Sequence, residues 1–257
     1  MYRLSFTTVV AAPLTVAFDV ARALGRPWPF PLEEVESVRP VSDLYAAGPG
    51  RGWRRLTHAR RFTATAAGTV VDEHVEWDTG LPRPLAGLVD RAVLRRRVVR
   101  SMRRHLDGYA AVAALRARDV VQVVGAAIVR GGAGGRQVLV AQRGSGPLAG
   151  LWEFPGGKVE PGEDQEAALV RECAEELGVT VEPGGFLGEV PLDGAVAGGV
   201  PGTSTLRVWA ARLVAGEPVA SEHLELRWVA TTGLEELDWI AADRPLLPAV
   251  RDLLTRP

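Results

Sequence analysis

The segment GGKVEPGEDQEAALVRECAEELGV, residues 156–179, is strongly acidic, with seven Asp or Glu residues among 24 positions. On a helix, like charges three or four positions apart repel each other by about 0.2–0.5 kcal/mol per pair. A hard divalent cation such as Mg²⁺ would remove this repulsion, because it prefers carboxylate oxygens together with water and phosphate oxygens. A solvated acidic helix face is the alternative explanation of such a run.

The same segment carries the signals of one helix. Asp164 is a suitable N-cap, and Gly178 is well placed just past the last helical residue. Helical spacing puts Glu172, Glu175 and Glu176 within one arc of about 100°. The neighbouring arc is apolar, so we predict a helix that is buried on one side and acidic at the rim. The apolar arc comprises Leu169, Val170, Cys173 and Leu177.

From Gly157 onward the chain fits the pattern G-x5-E-x7-R-E-U-x-E-E-x-G-U, in which U is apolar. This pattern is identified as the Nudix box, and the flanks LWEFPGGKVEPGE (151–163) and AADRPLLPAV (241–250) resemble MutT-type Nudix hydrolases. The resemblance implies an α/β/α sandwich with a mixed sheet over residues 119–257. It also implies hydrolysis of nucleoside triphosphates to monophosphate and pyrophosphate with Mg²⁺, or Mn²⁺ as a substitute. The matching positions are Gly157, Glu163, Arg171, Glu172, Cys173, Glu175, Glu176, Gly178 and Val179.

By that resemblance, the metal ligands are Glu172, Glu175, Glu176 and Glu222, completed by the backbone near Gly157. We expect Glu163 and Arg171 to form an ion pair that holds the loop against the helix and orients Glu172 or Glu175.

Glu222 lies in GEPVASEHLELRWV (216–229), which resembles the family loop that supplies one more metal ligand or the general base. A base must reach the attacking water, and a loop residue facing the metal cluster can do so. Glu225 is the rival candidate. We expect His223 to be a loop or packing histidine.

The candidate substrate-binding residues are Arg143, Phe154, Lys158 and Asp243. Arg143 would add a fixed positive charge to the phosphates, and Phe154 with Trp152 would flank the base unless both belong to the core. The resemblance assigns base reading to Asp243. An ionised aspartate only accepts hydrogen bonds, which suits the amino group of cytosine and opposes the O6 acceptor of guanine. Cytidine nucleotides are therefore favoured, with oxidised or modified nucleotides next. Alternatively, Asp243 N-caps the following helix.

Charge divides the chain in two. Residues 1–118 carry 19 Arg and 11 acidic residues, a net +8, whereas residues 119–257 carry 11 basic and 20 acidic residues, a net −9. In the first part, 35–46, 53–65 and 69–77 are strand candidates, and a long helical pattern covers 85–116. The run RRLTHARRFTATAAGTVVDEHVEWDTGLPRPLAGLVDRAVLRRRVVRSMRRHL (54–106) resembles SRPBCC, or helix-grip, domains.

That second resemblance implies an antiparallel sheet closed by a long C-terminal helix, with an apolar small ligand gripped between them. The predicted fold class is thus α+β, with domains 1–118 and 119–257. The basic helix 91–105 also invites a nucleic-acid interpretation, but a charge run is usually a solvated face, and nucleic-acid binding is not expected.

Composition sets the remaining expectations. With one cysteine, Cys173, the chain has no internal disulfide, and no apolar run reaches the ~18–20 residues of a membrane span, so we expect a cytoplasmic protein. Two alternatives to the triphosphate hydrolase remain open. One is a ligand sensor whose Nudix unit binds a nucleotide without turnover, and the other is a Nudix diphosphatase acting on substrates such as ADP-ribose or nucleotide sugars.

Overall fold

The computed structural model describes residues 1–49, 54–82, 85–87, 90–132, 135–192 and 204–256. The chain divides into two compact units, Met1–Asp119 and Val120–Pro257. Within the described ranges, no helix is both long enough and apolar enough to cross a membrane.

The first unit is a five-stranded antiparallel sheet with two main helices. The strand order across the sheet is β1-β5-β4-β3-β2. A π-helical turn at Asp90–Leu94 leads directly into the long helix α2. The elements are β1 (Tyr2–Val10), α1 (Leu14–Ala23), β2 (Glu33–Val38), β3 (Ser42–Ala47), β4 (Arg55–Thr65), β5 (Gly68–Asp78) and α2 (Arg95–Arg116).

The region predicted as one strand over 35–46 is a hairpin, so that prediction was wrong. The chain reverses at Arg39–Pro40, and the Val41 N–H donates to the Val38 carbonyl at 2.7 Å. Proline has no N–H for a sheet ladder, which is why a continuous strand cannot form here. Residue 53, predicted to begin the next strand, and residues 88 and 89 of the helical pattern lie outside the described residues.

The interior face of β4 is apolar at both ends and charged in the middle. Leu56 and Phe62 belong to two separate apolar clusters, each of which includes residues of α2. Between them, on the same face, His58 lies 2.6 Å from Glu73, and Arg60 is bound to a carboxylate of β3. A buried histidine–glutamate contact and a buried Arg60–Asp43 ion pair therefore occupy the region where the sequence suggested an apolar ligand.

The second unit is built on a mixed six-stranded sheet. Its strand order is β11-β7-β6-β10-β9, and the short β8 pairs with β7. Strand β10 runs parallel to β6, whereas the other pairs are antiparallel. The elements are β6 (Val121–Gly132), β7 (Gly135–Arg143), β8 (Trp152–Glu153), α3 (Gln165–Leu177), β9 (Thr180–Leu192), β10 (Ser204–Ala215), β11 (His223–Ala230) and α4 (Leu247–Thr255).

The two helices of this unit cover opposite faces of the sheet. Ala126 and Ile128 of β6 lie in the cluster that contains the apolar residues of α3. Ala127 lies in the cluster that contains Val250 and Leu254 of α4. Since neighbouring residues of a strand point to opposite faces, the sheet lies between the helices. The predicted sandwich with a mixed sheet is confirmed.

Candidate active site

Helix α3 forms as the sequence predicted. The Asp164 carboxylate caps it by accepting from the Glu166 N–H at 2.9 Å, and Gly178 ends it with φ 68°. Leu169, Cys173 and Leu177 are fully buried. The acidic arc of the helix therefore stands at the edge of the interface with the sheet.

Two glycines bring the backbone close to this arc. The loop at Gly156–Gly157 runs along β6, where the Val124 N–H donates to the Gly157 carbonyl at 2.8 Å. A Cβ at Gly156, whose φ is +147°, would overlap the Val124 carbonyl, and a Cβ at Gly157 would overlap the Glu172 carboxylate. The Gly156 N–H donates to Glu176 Oε2 at 3.2 Å. Only residues without a side chain fit between the helix and β6 at this point.

Arg171 connects the loop to the helix carboxylates. Its Nε and Nη2 each donate to Glu163 at 2.9 Å, and its Nη1 donates to Glu172 at 2.9 Å and to Glu175 at 3.1 Å. Nη2 also reaches the Lys158 carbonyl at 3.0 Å. These bonds, above all those to Glu163, raise the pKa of Arg171, and they lower the pKa of Glu163 to about 2. The predicted ion pair is present, and it gathers two further glutamates.

Glu176 is largely enclosed, with 16% of its side chain exposed, as is Glu172 with 14%. Burial raises its pKa to about 7, and the charges of Glu172, Glu153 and Glu222 act in the same direction. Across the described parts of the chain, no three Asp, Glu, His or Cys side chains are gathered around a common point as metal ligands would be. In this arrangement Arg171 holds Glu172 and Glu175, while Glu176 faces other carboxylates.

The two rival loop glutamates lie in different surroundings. Glu222 immediately precedes β11, its carbonyl lies against Gly144, and its charge contributes to the raised pKa of Glu176. Glu225 is exposed and accepts from Arg227 at 2.8 and 3.0 Å. The geometry favours Glu222 over Glu225 as the partner of the acidic arc.

Glu153 and His223 also belong to this site, although the sequence analysis assigned neither of them a role there. Glu153 accepts from Arg143 Nη1 at 2.9 Å, and burial raises its pKa. His223 Nε2 lies 3.8 Å from Glu153 and 4.0 Å from Glu176, and burial lowers the pKa of His223. Its buried Nδ1 has no hydrogen-bond partner among the described residues. The one feature of the sequence that could have pointed to Glu153 is its acidic side chain between the two aromatic residues of LWEF (151–154).

A cavity of about 220 Å³ adjoins the acidic arc. All four predicted substrate-binding residues line it, together with Glu153, Gly157 and Glu176. The buried Nε of Arg143 has no hydrogen-bond partner within the described ranges. Lys158 is the only lysine in the sequence. The cavity thus combines cationic, anionic and apolar walls, the apolar ones being Val123, Leu192, Leu206 and Ile240.

Asp243 lies at the cavity but does not cap the helix that follows. Asp243 occupies the N-cap position of the helical turn Arg244–Leu246, but its side chain makes no cap hydrogen bond and instead accepts from the Phe154 N–H at 3.1 Å. Asp243 is 3% exposed, and burial raises its pKa to about 7. Burial thus favours the protonated form of Asp243, which the prediction of a purely accepting, ionised aspartate did not consider. The protonated form donates as well as accepts.

The two aromatic candidates belong to the core. The Phe154 ring packs on Trp239 with centroids 5.0 Å apart, and Trp152 is buried in the same apolar cluster. Phe154 contributes its backbone N–H to the position of Asp243, and Trp152 does not line the cavity. The alternative that these aromatics are core residues agrees with the structure.

Comparison with known proteins relates this site to one family. Residues 121–250 match the NUDIX domain. A Mycobacterium tuberculosis (strain ATCC 25618 / H37Rv) protein, provisionally named 8-oxo-dGTP diphosphatase 2, is 49% identical over 123 residues, which are 48% of this chain and 82% of that protein. The CTP pyrophosphohydrolase of Escherichia coli K12 is 38% identical over 131 residues, 51% of this chain and 90% of that protein. The crystal structure of a MutT NUDIX hydrolase from Burkholderia pseudomallei shares 36% identity, covers 51% of this chain and 97% of its own, and superposes with a TM-score of 0.43.

Proposed function

This chain belongs to the Nudix hydrolase family, and on that basis we propose that it is a Mg²⁺-dependent nucleoside triphosphate pyrophosphohydrolase. It would convert a triphosphate and water to the monophosphate and pyrophosphate. One observation carries the proposal. The same cavity is lined by Glu176 of the Nudix box, by the cations Arg143 and Lys158, and by the buried Asp243.

The carboxylates fit a hard divalent cation. Glu172, Glu175, Glu176 and Glu222 would hold it. The backbone near Gly157 would complete the site, and all the donors are oxygens, which is the ligand type that Mg²⁺ prefers. Burial first, and then the charges of Glu172, Glu153 and Glu222, raise the pKa of Glu176, and a bound cation would favour its ionised form. When bound, the metal would neutralise phosphate charge and lower the pKa of a water molecule. Mn²⁺ would serve as a substitute.

The roles of the chain's own residues follow from their contacts. Arg171 fixes the orientation of the acidic arc against the loop. Arg143 and Lys158 would bind phosphate oxygens, since both line the cavity and carry positive charge. Glu222 would serve either as a metal ligand or as the base that accepts the proton of the attacking water, because it is exposed and its charge acts on Glu176.

Replacing Arg171 by Gln is expected to lower the rate of pyrophosphate release about 10–100-fold, the usual loss when a residue that orients metal ligands is removed. The Mg²⁺ concentration needed for half-maximal rate should rise as well, because Glu172 and Glu175 lose their common support. A Mg²⁺ titration of the hydrolysis rate measures both effects. Arg212→Gln, which removes an exposed ion pair with Glu182, is the matched control. Equal Mg²⁺ requirements in the two variants would contradict the role given to Arg171.

We propose that Asp243 reads the base edge. Ionised, it accepts from the amino group of cytosine, whereas protonated it can also donate to an oxygen such as O6 of an oxidised guanine. Since its pKa is about 7, preference for CTP over 8-oxo-dGTP should increase as the pH rises through that value. Cytidine and oxidised guanine nucleotides are accordingly the proposed substrates, and names of both kinds occur among the relatives.

Replacing Asp243 by Asn tests this directly, because an amide donates and accepts at every pH. At pH 8 the ratio of kcat/KM for CTP to kcat/KM for 8-oxo-dGTP should fall about 10–100-fold, the range set by one discriminating pair of hydrogen bonds. The ratio should also lose its dependence on pH between 6 and 8. Steady-state kinetics with both triphosphates supplies the numbers. A ratio that stays at the wild-type value would exclude base reading by Asp243.

Product analysis separates the proposed enzyme from its alternatives. Purified protein with Mg²⁺ is incubated with CTP, 8-oxo-dGTP and ADP-ribose, and the products are resolved by chromatography. We expect monophosphate and pyrophosphate from the triphosphates. Exclusive cleavage of ADP-ribose would indicate the diphosphatase, and tight nucleotide binding without any product would indicate the non-catalytic sensor.

For residues 1–118 we propose a helix-grip-like accessory domain. The five antiparallel strands and the long helix α2 support it, since that is the arrangement implied by the sequence resemblance. The charged groups on the interior face of β4 do not support an apolar ligand held beneath that helix.

A further inference from the structure

The loop between α1 and β2 forms one wall of a second cavity, which lies entirely in the first unit and is separate from the candidate active site. Its volume is about 460 Å³, within the usual range for small-molecule sites. Trp28, Phe30 and Leu32 of the loop line it, Tyr45 of β3 forms the facing wall, and Arg26 supplies a positive charge. The walls are therefore largely aromatic, with one cation.

Arg26 lacks partners for part of its guanidinium group. Only 8% of its side chain is exposed, yet Nε and Nη2 have no hydrogen-bond partner among the described residues. Nη2 lies 3.0 Å from Asp43 Oδ1, an ion pair without hydrogen-bond geometry. Burying donors without partners is unfavourable, and burial lowers the pKa of Arg26. The site is thus short of one hydrogen-bond acceptor.

Asp43 does not make up this deficit, because its oxygens are aligned on Arg60 and not on Nε and Nη2 of Arg26. Arg60 Nε donates to Oδ1 at 2.9 Å and Nη2 donates to Oδ2 at 2.6 Å. Arg39 binds Asp19 through the same edge, at 3.0 and 2.6 Å. Both Arg60 and Arg39 therefore bind a carboxylate through Nε and Nη2 together. In Arg26 neither of these two nitrogens makes a hydrogen bond to a carboxylate of the described residues.

We propose that this cavity binds a small aromatic carboxylate, with its carboxylate on Arg26 and its ring against Trp28, Phe30 and Tyr45. A planar monoanion matches the fork of a guanidinium group. A phosphate dianion fits less well, because Asp43 lies 3.0 Å from the same guanidinium and no lysine lines the cavity. The aromatic walls favour a flat, apolar body.

Ligand entry requires Tyr45 to shift. Its ring stacks on the Arg26 guanidinium, 3.1 Å from ring centroid to Cζ, and the nitrogens without partners are buried beneath such contacts. Tyr45 is half-buried, and its hydroxyl donates to the partly exposed Glu34. Once the tyrosine ring has moved, the ligand carboxylate would reach Nε and Nη2 of Arg26.

The test is calorimetric titration of the full chain with 2-naphthoate and with 2-naphthamide, which has the same ring but no charge. Wild-type protein should bind the carboxylate at least tenfold more tightly than the amide. Arg26→Gln should abolish that preference, whereas Arg39→Gln, which removes an exposed ion pair of the same unit, should retain it. Phe30→Ala should weaken both ligands at least threefold and leave the preference intact.

Three results would overturn the proposal: no binding of 2-naphthoate to wild type at millimolar concentration, equal binding of both probes, or a preference that survives in Arg26→Gln. Circular dichroism monitors the fold of each variant. If Arg26→Gln does not fold, the proposal is still tested by the preference of the wild-type protein for 2-naphthoate over 2-naphthamide and by the weaker binding expected of Phe30→Ala. The result does not depend on nucleotide hydrolysis, since the readout is binding to the first unit.

Discussion

Replacing Glu176 by Gln is expected to lower Mg²⁺-dependent pyrophosphate release by about a thousandfold. The reason is that metal coordination contributes several kcal/mol to stabilising the transition state, and each 1.4 kcal/mol corresponds to about a tenfold change in rate. Glu176 is the carboxylate of the acidic arc that lines the cavity and is electrostatically coupled to Glu172 and Glu222. Steady-state pyrophosphate release at saturating Mg²⁺ measures the loss.

The same variant should stay folded, and without metal it should be more stable than wild type at alkaline pH. In the folded protein the pKa of Glu176 is raised from 4.5 to about 7, so the folded state retains a proton that the unfolded chain releases. This contribution to stability is complete below about pH 4.5 and is lost as the pH rises through about 7. Thermal unfolding in EDTA should show Glu176→Gln above wild type at pH 8, with a smaller difference at pH 5.

Glu225→Gln is the matched control, because Glu225 is an exposed glutamate of β11 that accepts hydrogen bonds from Arg227. Its rate of pyrophosphate release should stay within a factor of about two to three of wild type, as expected for a surface residue outside the site. Undiminished hydrolysis by Glu176→Gln would contradict the metal-site assignment. A loss of similar size in both variants would place the site elsewhere.

Replacing Gly157 by Ala is expected to lower hydrolysis by about a hundredfold or more. The new Cβ would coincide with the Glu172 carboxylate, which Arg171 holds in place from the other side. The Glu172 carboxylate must then move away from its position, and misplacing a catalytic group by about 1 Å costs on the order of 10²-fold in rate. Overpacking of this kind should also lower the free energy of unfolding by about 1–3 kcal/mol.

Gly185→Ala separates steric overlap from a general effect of losing a glycine. Gly185 lies in β9 of the same unit, and a Cβ there would meet open space. Its kcat/KM and thermal midpoint should remain close to those of wild type. If Gly157→Ala were as active as Gly185→Ala, the close approach of Glu172 to the loop would have no functional importance.

The features predicted well from the sequence are those set by local signals. The cap at Asp164, the termination at Gly178 and the buried stripe of α3 depend on neighbouring residues and on helical period, and the structure has all three. The mixed sheet between helices followed from a motif long enough to identify the family. Spacing alone also brought Glu172, Glu175 and Glu176 to one edge of a helix.

The features missed depend on tertiary burial. The raised pKa of Asp243 results from its burial in the folded protein. The contact of His223 with Glu153 joins two strands that are distant in sequence. No local pattern encodes either of them. The ion pair between Arg60 and Asp43 likewise arises only when β3 and β4 pair. The hairpin at Pro40 was within reach, because a proline inside a predicted strand is a local signal.

The most direct test is a crystal structure with Mg²⁺ and the α,β-methylene analogue of CTP, which cannot be cleaved to CMP. We expect at least one metal ion coordinated by two or more of Glu172, Glu175 and Glu176 and by phosphate oxygens. If the analogue binds while these side chains point into solvent with no ion between them, the account of the acidic segment is wrong.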